Sequence, residues 1–364
     1  MIIEPKNIFD AYSTPIVQQT SFWSQVKERL GLHSCAYEFN VRNRDIYEGV
    51  GGYSSTNADF IMFYQYINNE DYVAYVPYGP EIEPSENRQG VFLEELSEIL
   101  RSYLPKNCIA LRYDLNWESH WCKEDDFDEN GNWRGEPQKV FQEMKLNYGT
   151  VNHNLYKSNN NILPANTIVV DLTADEDTIL GRMKPKTRYN IRLALNKGVE
   201  VRSVGIDGLQ TWYNLYKETA ARNGLTLNDF NCFHSMFASK MGMCDDDVDV
   251  QLLIAYYDEM PLAAMFLVLS AHRATYLFFM MPRHPHSGMS CPHTLCSGRR
   301  CRLPKPTNVG NTTCSASPQI PTLPTLCTGF SNLNRASEET CSINLVAGTT
   351  HLTLTSTNTS RLAR

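Results

Sequence analysis

The sequence predicts an α+β fold divided into two domains, and three observations support this. The chain has 364 residues, 42% of them hydrophobic, which is enough to form two cores. Helix-like and strand-like periodicities alternate from residue 19 to residue 281. In the second half, helices precede three consecutive strands, an order typical of an antiparallel meander. We therefore expect one domain at residues 1–150 and a second at 151–281.

Apolar spacing and bounding turn residues predict the elements of the first domain. The predicted helices are residues 19–30, 86–103 and 137–144, and the predicted strands are residues 34–42, 59–67, 72–76 and 108–113. A polar loop with a run of acids is predicted over residues 122–137.

The second domain is predicted to begin with two short helices. Asp175-Glu176-Asp177 places acids in the first turn of one helix, and Pro185 suits the first turn of the next, which Gly198 ends. In that second helix Ile191, Leu195 and Tyr189 are predicted to face the core. The remaining predicted elements are a strand at 199–204, helices at 209–224 and 228–241, and strands at 248–257, 262–271 and 274–281.

A dense basic segment covers the second of these helices. Six cationic side chains and no acid occupy residues 182–197, in a chain whose net charge is −7. They are Arg182, Lys184, Lys186, Arg188, Arg192 and Lys197. A solvated helix face explains such a run, but the local reversal of sign also indicates an anionic ligand.

Five stretches in the right order resemble the FemABX family of peptidoglycan bridge-forming peptidyltransferases. Met183–Val201 resembles the family signature M-x-x-K-x-R-x-N-I-R-x-A-x-x-x-G-V, which opens the second domain. Thr20–Lys27 resembles the first helix of the family, and Tyr75–Pro80 its P-x-G-P turn. Leu111–Asp114 resembles a strand that ends in Asp, and Ile162–Leu172 the strand that enters domain two.

This resemblance implies a fold and a reaction. The fold is two tandem domains like those of the GNAT acyltransferases. The reaction moves an amino acid from aminoacyl-tRNA to the stem-peptide amine of a peptidoglycan precursor, either UDP-MurNAc-pentapeptide or lipid II, without a cofactor. The implied location is cytoplasmic, including the inner face of the membrane. The chain has no run of about 18 apolar residues, so no membrane-spanning segment is expected.

The resemblance also assigns candidate site residues in the first domain. Lys27 matches a family lysine that contacts the precursor diphosphate, although an exposed helix lysine is the simpler interpretation. Asp114 matches an aspartate discussed as the catalytic base that takes up the amine proton. A turn carboxylate, or a partner for Arg112, explains Asp114 as well.

In the second domain the candidates are basic and aromatic. Lys184, Lys186, Arg188 and Arg192 are expected to bind phosphates of the tRNA or the precursor, and half of such residues can simply cover a helix. Tyr276 and Phe278 match an aromatic strand beside the cleft, a pattern that core packing explains as easily.

Two departures from the family pattern concern precursor recognition. Where some members carry an arginine that holds the precursor, this chain reads Leu225–Asn228, and a tyrosine expected nearby is Cys232.

No metal site is expected. Cys35, Cys108, Cys122, Cys232 and Cys244 lack C-x-x-C spacing and fit reduced thiols. The histidines and cysteines between residues 284 and 301 do not follow zinc-ligand spacing, and the acidic run at 245–247 is interpreted as a loop.

The composition changes after residue 281. Residues 282–364 lack Asp, Tyr and Trp but hold six of the eleven cysteines and eight of the eighteen prolines. One interpretation is a disordered Ser/Thr/Pro tail of low order. A second interpretation comes from translating residues 282–364 back into degenerate codons and reading them in another frame. A frame shifted by two bases over 329–354 is compatible with a family-like F-K-F-K-S-G-F stretch, and the same shift over 311–321 is compatible with Y-D-M-F-G-V-S-P-N-P. We therefore expect residues from about 279 onward to be translated out of frame. Such a shift would remove the family's C-terminal strands and a lysine thought to stabilise the developing charge on the transferred ester. Activity of the chain as written would then be doubtful.

Two other classes of protein compete with the transferase. A CoA-dependent N-acyltransferase would share the fold, but no R/Q-x-x-G-x-G/A loop is found for its pyrophosphate. A non-enzymatic nucleic-acid-binding protein would explain the basic helix, yet the acidic total charge and a lack of exposed aromatic residues among the basic ones argue against it. Salt-sensitive binding of charged tRNA without CoA binding would separate the three.

Overall fold

The computed structural model forms two compact units, Met1–Asn166 with Thr349–Arg364, and Thr167–Gly348. The residues it describes are 1–118, 121, 129, 135–164, 166–168, 172, 174–241, 248–280, 343–344, 347–350 and 353–357. The first predicted domain, residues 1–150, lies within the first unit.

The first unit is built on one sheet with strand order β1-β2-β3-β4-β5-β14-β6. The strands are β1 (Ile2–Lys6), β2 (Ser34–Arg42), β3 (Ser55–Tyr66), β4 (Tyr72–Pro77), β5 (Cys108–Asp114), β6 (Leu155–Lys157) and β14 (Thr353–Thr357). The helices are α1 (Ser21–Arg29), α2 (Asn43–Ile46), α3 (Gln89–Leu100) and α4 (Lys139–Leu146). Strands β4 and β5 run parallel, whereas the other described neighbours are antiparallel.

One face of this sheet is covered by α3. Alternate residues of the central strands, such as Phe60 and Met62 on β3, form a cluster with Phe92 and Leu96 of α3. Because side chains alternate across a strand, the intervening residues, including Ile61, turn to the other face, where they are also buried. The sheet is therefore buried on both faces along its middle strands.

Two specific polar contacts hold helix α1, one at its start and one in its middle. The Thr20 hydroxyl accepts a hydrogen bond from the Trp23 backbone N–H at 3.2 Å and so caps the first turn. Farther along the helix, the Ser24 and Ser34 hydroxyls lie 2.5 Å apart, which ties α1 to β2. These contacts fix the helix on which Lys27 lies.

The second unit combines helices with an antiparallel meander. Its helices are α5 (Glu176–Arg182), α6 (Pro185–Asn196), α7 (Leu209–Asn223) and α8 (Phe230–Met241). Its sheet has the order β12-β11-β10-β9-β8, made of β8 (Glu200–Val204), β9 (Val248–Tyr257), β10 (Met260–Ser270), β11 (Arg273–Met280) and β12 (Ile343–Asn344). Two further strands, β7 (Asn166–Ile168) and β13 (Ala347–Thr350), pair with each other.

The local geometry of the meander follows from a few residues. Helix α7 ends at Gly224, whose φ of +66° is the left-handed conformation that glycine adopts without strain. Asp258 and Glu259, between β9 and β10, both have positive φ, which is the requirement of a type I′ hairpin turn. Arg202 of β8 donates two hydrogen bonds to the Glu259 carboxylate, at 2.6 and 2.8 Å, and holds this turn.

Most of the predicted elements are confirmed, within a few residues at their ends. Strand β2 has the predicted bounds, and both short helices at the start of the second domain are present. Strand β1 was not predicted. The predicted loop at 122–137 and the predicted low-order tail lie largely outside the described residues. Within the described part of the chain, no helix is both long and apolar enough to span a membrane.

Candidate functional site

Asp114 lies at the carboxyl end of β5 and is almost completely buried, with 1% of its surface exposed. Its Oδ2 accepts hydrogen bonds from the Tyr75 hydroxyl and the Leu163 backbone N–H, both at 2.9 Å. Its Oδ1 accepts a third, from Arg112 Nε at 3.3 Å. The carboxylate thus joins the ends of the parallel strands β4 and β5 to a segment that follows β6.

The partners of Asp114 are themselves held in place. Arg112 also donates to the side chain of Asn160 at 3.0 Å and to its backbone carbonyl at 2.6 Å. Burial first, and then the charge and hydrogen bond of Asp114, raise the pKa of the Tyr75 hydroxyl. A phenol that is kept protonated donates its hydrogen to the carboxylate. The alternative predicted from the sequence, that Asp114 pairs with Arg112, is confirmed by the 3.3 Å contact between the two side chains.

The segment that follows β6 is anchored at a second point. The Tyr78 hydroxyl donates to the Pro164 carbonyl at 2.8 Å, one residue beyond the Leu163 N–H that Asp114 holds. Tyr78 follows β4 directly, in the stretch predicted to form the P-x-G-P turn, and its Gly79–Pro80 peptide bond is cis. Residues 160–164 are thus fixed to the same end of the sheet by three side chains.

Lys27 lies in the last turn of α1 and is half-buried. Its ammonium group is 5.0 Å from the centre of the Trp23 ring, one helical turn earlier. The three groups that hold Asp114 do not include Lys27. The structure places the two candidates on different elements of the first unit, and the predicted role of Lys27 at a diphosphate stays a prediction.

Arg188 has a structural partner in the second unit. Its guanidinium donates to the carbonyls of Gly181, at 3.1 Å, and Met183. These carbonyls belong to the end of α5, where a helix leaves acceptors unsatisfied. A cationic side chain at this position also suits the negative end of the helix dipole. Of the four predicted phosphate-binding residues, Arg188 is therefore the one engaged in holding α5 to α6.

The other three cationic candidates extend from α6 into solvent. Lys184, Lys186 and Arg192 are exposed, and their side chains make no hydrogen bond or ion pair with the described residues. Lys184 caps the helix with its backbone only, and Pro185 opens the first turn as predicted. Their side-chain charges are not neutralised by the described residues, and their predicted role at phosphates stays a prediction.

The structure corrects the predicted inward face of α6. Ile191 is buried, with 3% exposed, but Tyr189 is 62% exposed and Leu195 is 40% exposed. Thr187 and Ala194 turn inward together with Ile191. An exposed aromatic ring therefore lies three residues from Lys186 and three from Arg192, and such pairs are neighbours on a helix. The expectation that the basic residues lack an interleaved exposed aromatic side chain was wrong.

Tyr276 and Phe278 both lie on β11. The Tyr276 side chain is buried, with 4% exposed, and its backbone pairs with Leu267 and Ile343. Phe278 pairs with Phe266, so the extra residue Leu277 forms a bulge between the two aromatic positions and interrupts the regular two-residue repeat. The Phe278 side chain lies outside the described part of the structure. A cleft role for either residue stays a prediction.

A family model described as the FemAB family matches residues 6–240, which is more than half of the chain. The chain belongs to the FemAB family. The match covers the first unit's α1, the Asp114 cluster and the basic helix α6. The resemblance predicted from the sequence is confirmed.

Similar proteins agree with this family. Lipid II:glycine glycyltransferases of Staphylococcus aureus, including strains COL and N315, are 27% identical to the chain over 97 residues. That match covers 27% of this chain and spans only 22% of the relatives' length. The glycyltransferase activity in their name belongs to those enzymes.

Among solved structures, a crystal structure of FemX matches with a TM-score of 0.52 and 13% identity. The match covers 78% of this chain and 81% of that one, and it shows a shared fold. A tandem GNAT protein from the clavulanic acid biosynthesis pathway covers a similar share, with a TM-score of 0.36 and 10% identity. The mixed α and β composition of the fold is confirmed, whereas the paired GNAT-like arrangement stays a prediction.

Two features of the site were not found by sequence reasoning. The first is the pair of contacts that Asp114 makes with Tyr75 and Leu163. These partners lie 39 and 49 positions from Asp114 in the chain, so no local sequence pattern reveals the contacts. The exposure of Tyr189 had a local signal, because its spacing to Lys186 and Arg192 already placed it among the basic side chains.

Proposed function

We propose that this protein is a peptidoglycan bridge aminoacyltransferase that binds aminoacyl-tRNA through the exposed face of α6. The observation that carries the proposal is that Lys186 and Arg192 extend uncompensated among the described residues, with the exposed Tyr189 between them, in a chain of net charge −7. Lys184, at the N-cap of the same helix, adds a third exposed charge. Membership of the FemAB family and the name of the glycyltransferase relatives support the reaction class.

The reaction needs three things of the protein. The stem-peptide amine of the precursor attacks the ester carbonyl of aminoacyl-tRNA, so a C–N bond forms and the C–O bond to the tRNA breaks. The proton that the amine loses ends on the ribose oxygen that leaves, so a path for this proton is the first need. Cations are needed to hold phosphates, and a hydrogen-bond donor is needed for the oxyanion of the tetrahedral intermediate. In this proposal Lys184, Lys186 and Arg192 supply the cations that hold tRNA phosphates, and Lys27 contacts the diphosphate of UDP-MurNAc-pentapeptide or lipid II.

Tyr189 has a separate role in the proposal, as a surface on which a nucleotide base stacks. A half-exposed phenol ring flanked by cations has the composition of a single-stranded nucleic-acid contact. The cations hold the backbone and the ring holds a base, and only the cation contacts depend strongly on salt. This difference allows the two kinds of contact to be measured separately.

Asp114 is proposed to position the site. Three donors occupy three of the roughly four lone-pair positions of its carboxylate. The Leu163 contact, together with the contacts of Arg112 to Asn160, fixes residues 160–164 against β4 and β5. A general base needs a lone pair within reach of the proton that it removes. A positioning role uses all three hydrogen bonds, whereas a role as base would require the substrate amine to reach the remaining lone pair of a carboxylate that is only 1% exposed.

The test is tRNA binding by the full chain, measured by filter retention over a series of salt concentrations. Lys186→Ala and Arg192→Ala should each weaken binding and lower the slope of log K against log salt by about 0.7–0.9, the value for one phosphate contact. Tyr189→Ala should weaken binding by about 5- to 150-fold without changing the slope, because a stacked base contributes about 1–3 kcal/mol. Lys217→Ala, an exposed lysine on α7, is the matched control.

Unchanged affinity and slope in all three α6 variants would refute the proposed tRNA surface. Transfer of a labelled amino acid from aminoacyl-tRNA to UDP-MurNAc-pentapeptide or to lipid II then tests the reaction and identifies the acceptor. Binding of tRNA with no transfer to either acceptor would leave a nucleic-acid-binding protein and would refute the enzymatic part of the proposal.

A further inference from the structure

The outward face of α4 in the first unit is apolar, the reverse of what a surface helix normally shows. Val140, Phe141 and Met144 are 62%, 57% and 65% exposed. The polar residue Gln142 faces inward, with 9% exposed, and Leu146 packs against the core. A surface helix usually turns its apolar stripe to the core and its polar side chains to water. The outward side chains of α4 are therefore available to a partner.

These side chains form one continuous stripe. At about 100° of rotation per residue, positions 140, 141, 144 and 148 fall within an arc of about 100°. Tyr148 is 72% exposed and lies just beyond the helix, where its N–H still bonds to the Lys145 carbonyl at 3.1 Å. Val151, which is 84% exposed, follows in the next turn. Tyr148 thus extends the stripe just past the end of α4.

The size of the stripe indicates what kind of partner it suits. With about 150–250 Å² for each large side chain, it exposes on the order of 600 Å² of apolar surface, near the upper end for a monomeric protein. A standard protein interface buries about 800 Å² on each partner. Since α4 is only about 12 Å long, the stripe is narrow for a stable dimer. It is large enough for insertion into a lipid surface, which needs no complementary shape.

The charged residues around the stripe are balanced. Lys139 lies 3.7 Å from Glu143, and Lys145 pairs with Glu86. Within the described residues, the lysines beside the stripe are therefore paired with acids. The stems of such lysines can lie along an apolar boundary while their charges stay in water. Balanced charge around exposed Phe, Tyr, Met and Val favours a partner recognised by apolar contact.

We propose that α4 and the turn after it dock the protein on the surface of a lipid bilayer. Val140, Phe141, Met144 and Tyr148 would enter the boundary between headgroups and acyl chains, with the helix lying in the plane of the membrane. The choice of a bilayer as partner rests on the proposed function, since a lipid-linked acceptor is presented at a membrane. It rests also on the narrow, neutral and apolar character of the stripe.

The experiment is sedimentation of the full chain with vesicles of pure phosphatidylcholine and with vesicles of an equal mixture of phosphatidylcholine and phosphatidylglycerol. The unmodified protein should bind both, with little effect of salt. The double variant Phe141→Glu/Met144→Glu should bind at least about tenfold more weakly, because charge replaces apolar side chains at the boundary. Tyr53→Glu, which alters an aromatic residue that is 93% exposed outside α4, should leave vesicle binding unchanged.

Both substituted side chains are exposed, so the double variant should fold normally. Circular dichroism and the melting temperature check this, and Phe141→Ser/Met144→Ser serves if the charged pair does not fold. Four results would overturn the proposal. The first two are that the unmodified chain binds neither kind of vesicle, or that it binds only the anionic vesicles in a salt-sensitive manner. The third is that the α4 variant binds vesicles as well as the unmodified chain does. The fourth is that light scattering shows a dimer of the unmodified chain that the α4 variant does not form, while vesicle binding is the same for both.

The vesicle experiment uses no tRNA, so it separates this proposal from the proposed function. Vesicle binding lost in the α4 variant, in a protein that fails to bind tRNA, would support the docking surface and refute the tRNA surface. Intact tRNA binding in a protein that ignores both vesicles would do the opposite.

Discussion

Replacing Asp114 by alanine removes the acceptor for three hydrogen bonds inside the first unit. The Tyr75 hydroxyl and the Leu163 N–H lose a partner at 2.9 Å, and Arg112 loses a carboxylate at 3.3 Å. Only 12% of the Arg112 side chain is exposed, so its charge is left largely unpaired away from water. Breaking a buried pair in this way costs about 3–5 kcal/mol. We expect the free energy of unfolding of the first unit to fall by that amount.

The assay is urea denaturation of the full chain, followed by circular dichroism together with amide hydrogen exchange at Leu163. A loss of about 3–5 kcal/mol corresponds to a fall in melting temperature of roughly 6–20 °C for a unit of this size. Asp114→Asn keeps one acceptor oxygen and should lose about half as much stability. Asp45→Ala is the matched control, because its ion pairs with Arg42 and Arg44 lie at the surface and contribute about 0–1 kcal/mol.

A different result would refute this reasoning. If Asp114→Ala unfolds like the unmodified chain and Leu163 exchanges no faster, the three hydrogen bonds do not stabilise the first unit. If stability is unchanged but aminoacyl transfer falls by 100-fold or more, a change typical of removing a general base, Asp114 is catalytic and the positioning role is wrong.

Two further predictions concern α3 and the reading frame. Gly90→Ala should lower the free energy of unfolding by about 3 kcal/mol or more in urea denaturation, because a Cβ atom there would lie 1.6 Å from the backbone carbonyl oxygen of Leu146. The control Gly51→Ala should leave the free energy of unfolding unchanged, since no atom lies within 4 Å of its new Cβ. Equal stability of the two variants would contradict the close packing of α3 on α4. Sequencing the genomic DNA across codons 275–285 should locate the shift, and the DNA from there through codon 354 should encode the family-like C-terminal motifs in the shifted frame. The absence of such a frame would refute the out-of-frame hypothesis.

Local sequence patterns predicted the elements well because each had its own signal. The strand at Ser34–Arg42 carries alternating side chains, and α7 ends at a glycine that adopts the left-handed conformation. The orientation of α4 could not be predicted in the same way. Its apolar residues suggest an inward face, but the short approach of its last turn to Gly90 turns Gln142 and Leu146 inward instead. Which face is buried depends on the neighbouring helix and not on periodicity alone.

The candidate site was predictable in its charges but not in its contacts. The basic residues of α6 are adjacent in the chain, so their clustering is visible in the sequence. What the sequence did not distinguish is that Arg188 reaches back to the end of α5 while Lys186 and Arg192 extend into solvent. The partner of such a side chain depends on the angle between α5 and α6. The backbone at Met183–Lys184 sets this angle, and residue types alone do not specify it.

The parallel pairing of β4 with β5 affects the order in which the first unit folds. Phe63 of β3 pairs with Tyr75 only twelve residues later, but Tyr72 of β4 pairs with Cys108 thirty-six residues later, across the crossover that contains α3. A threefold longer loop costs about 1 kcal/mol more entropy to close, which is roughly a fivefold slower search. We therefore expect strand β5 to join a β2–β4 meander that has already formed. On this order, the carboxylate at its end meets its partners late in the folding of the first unit.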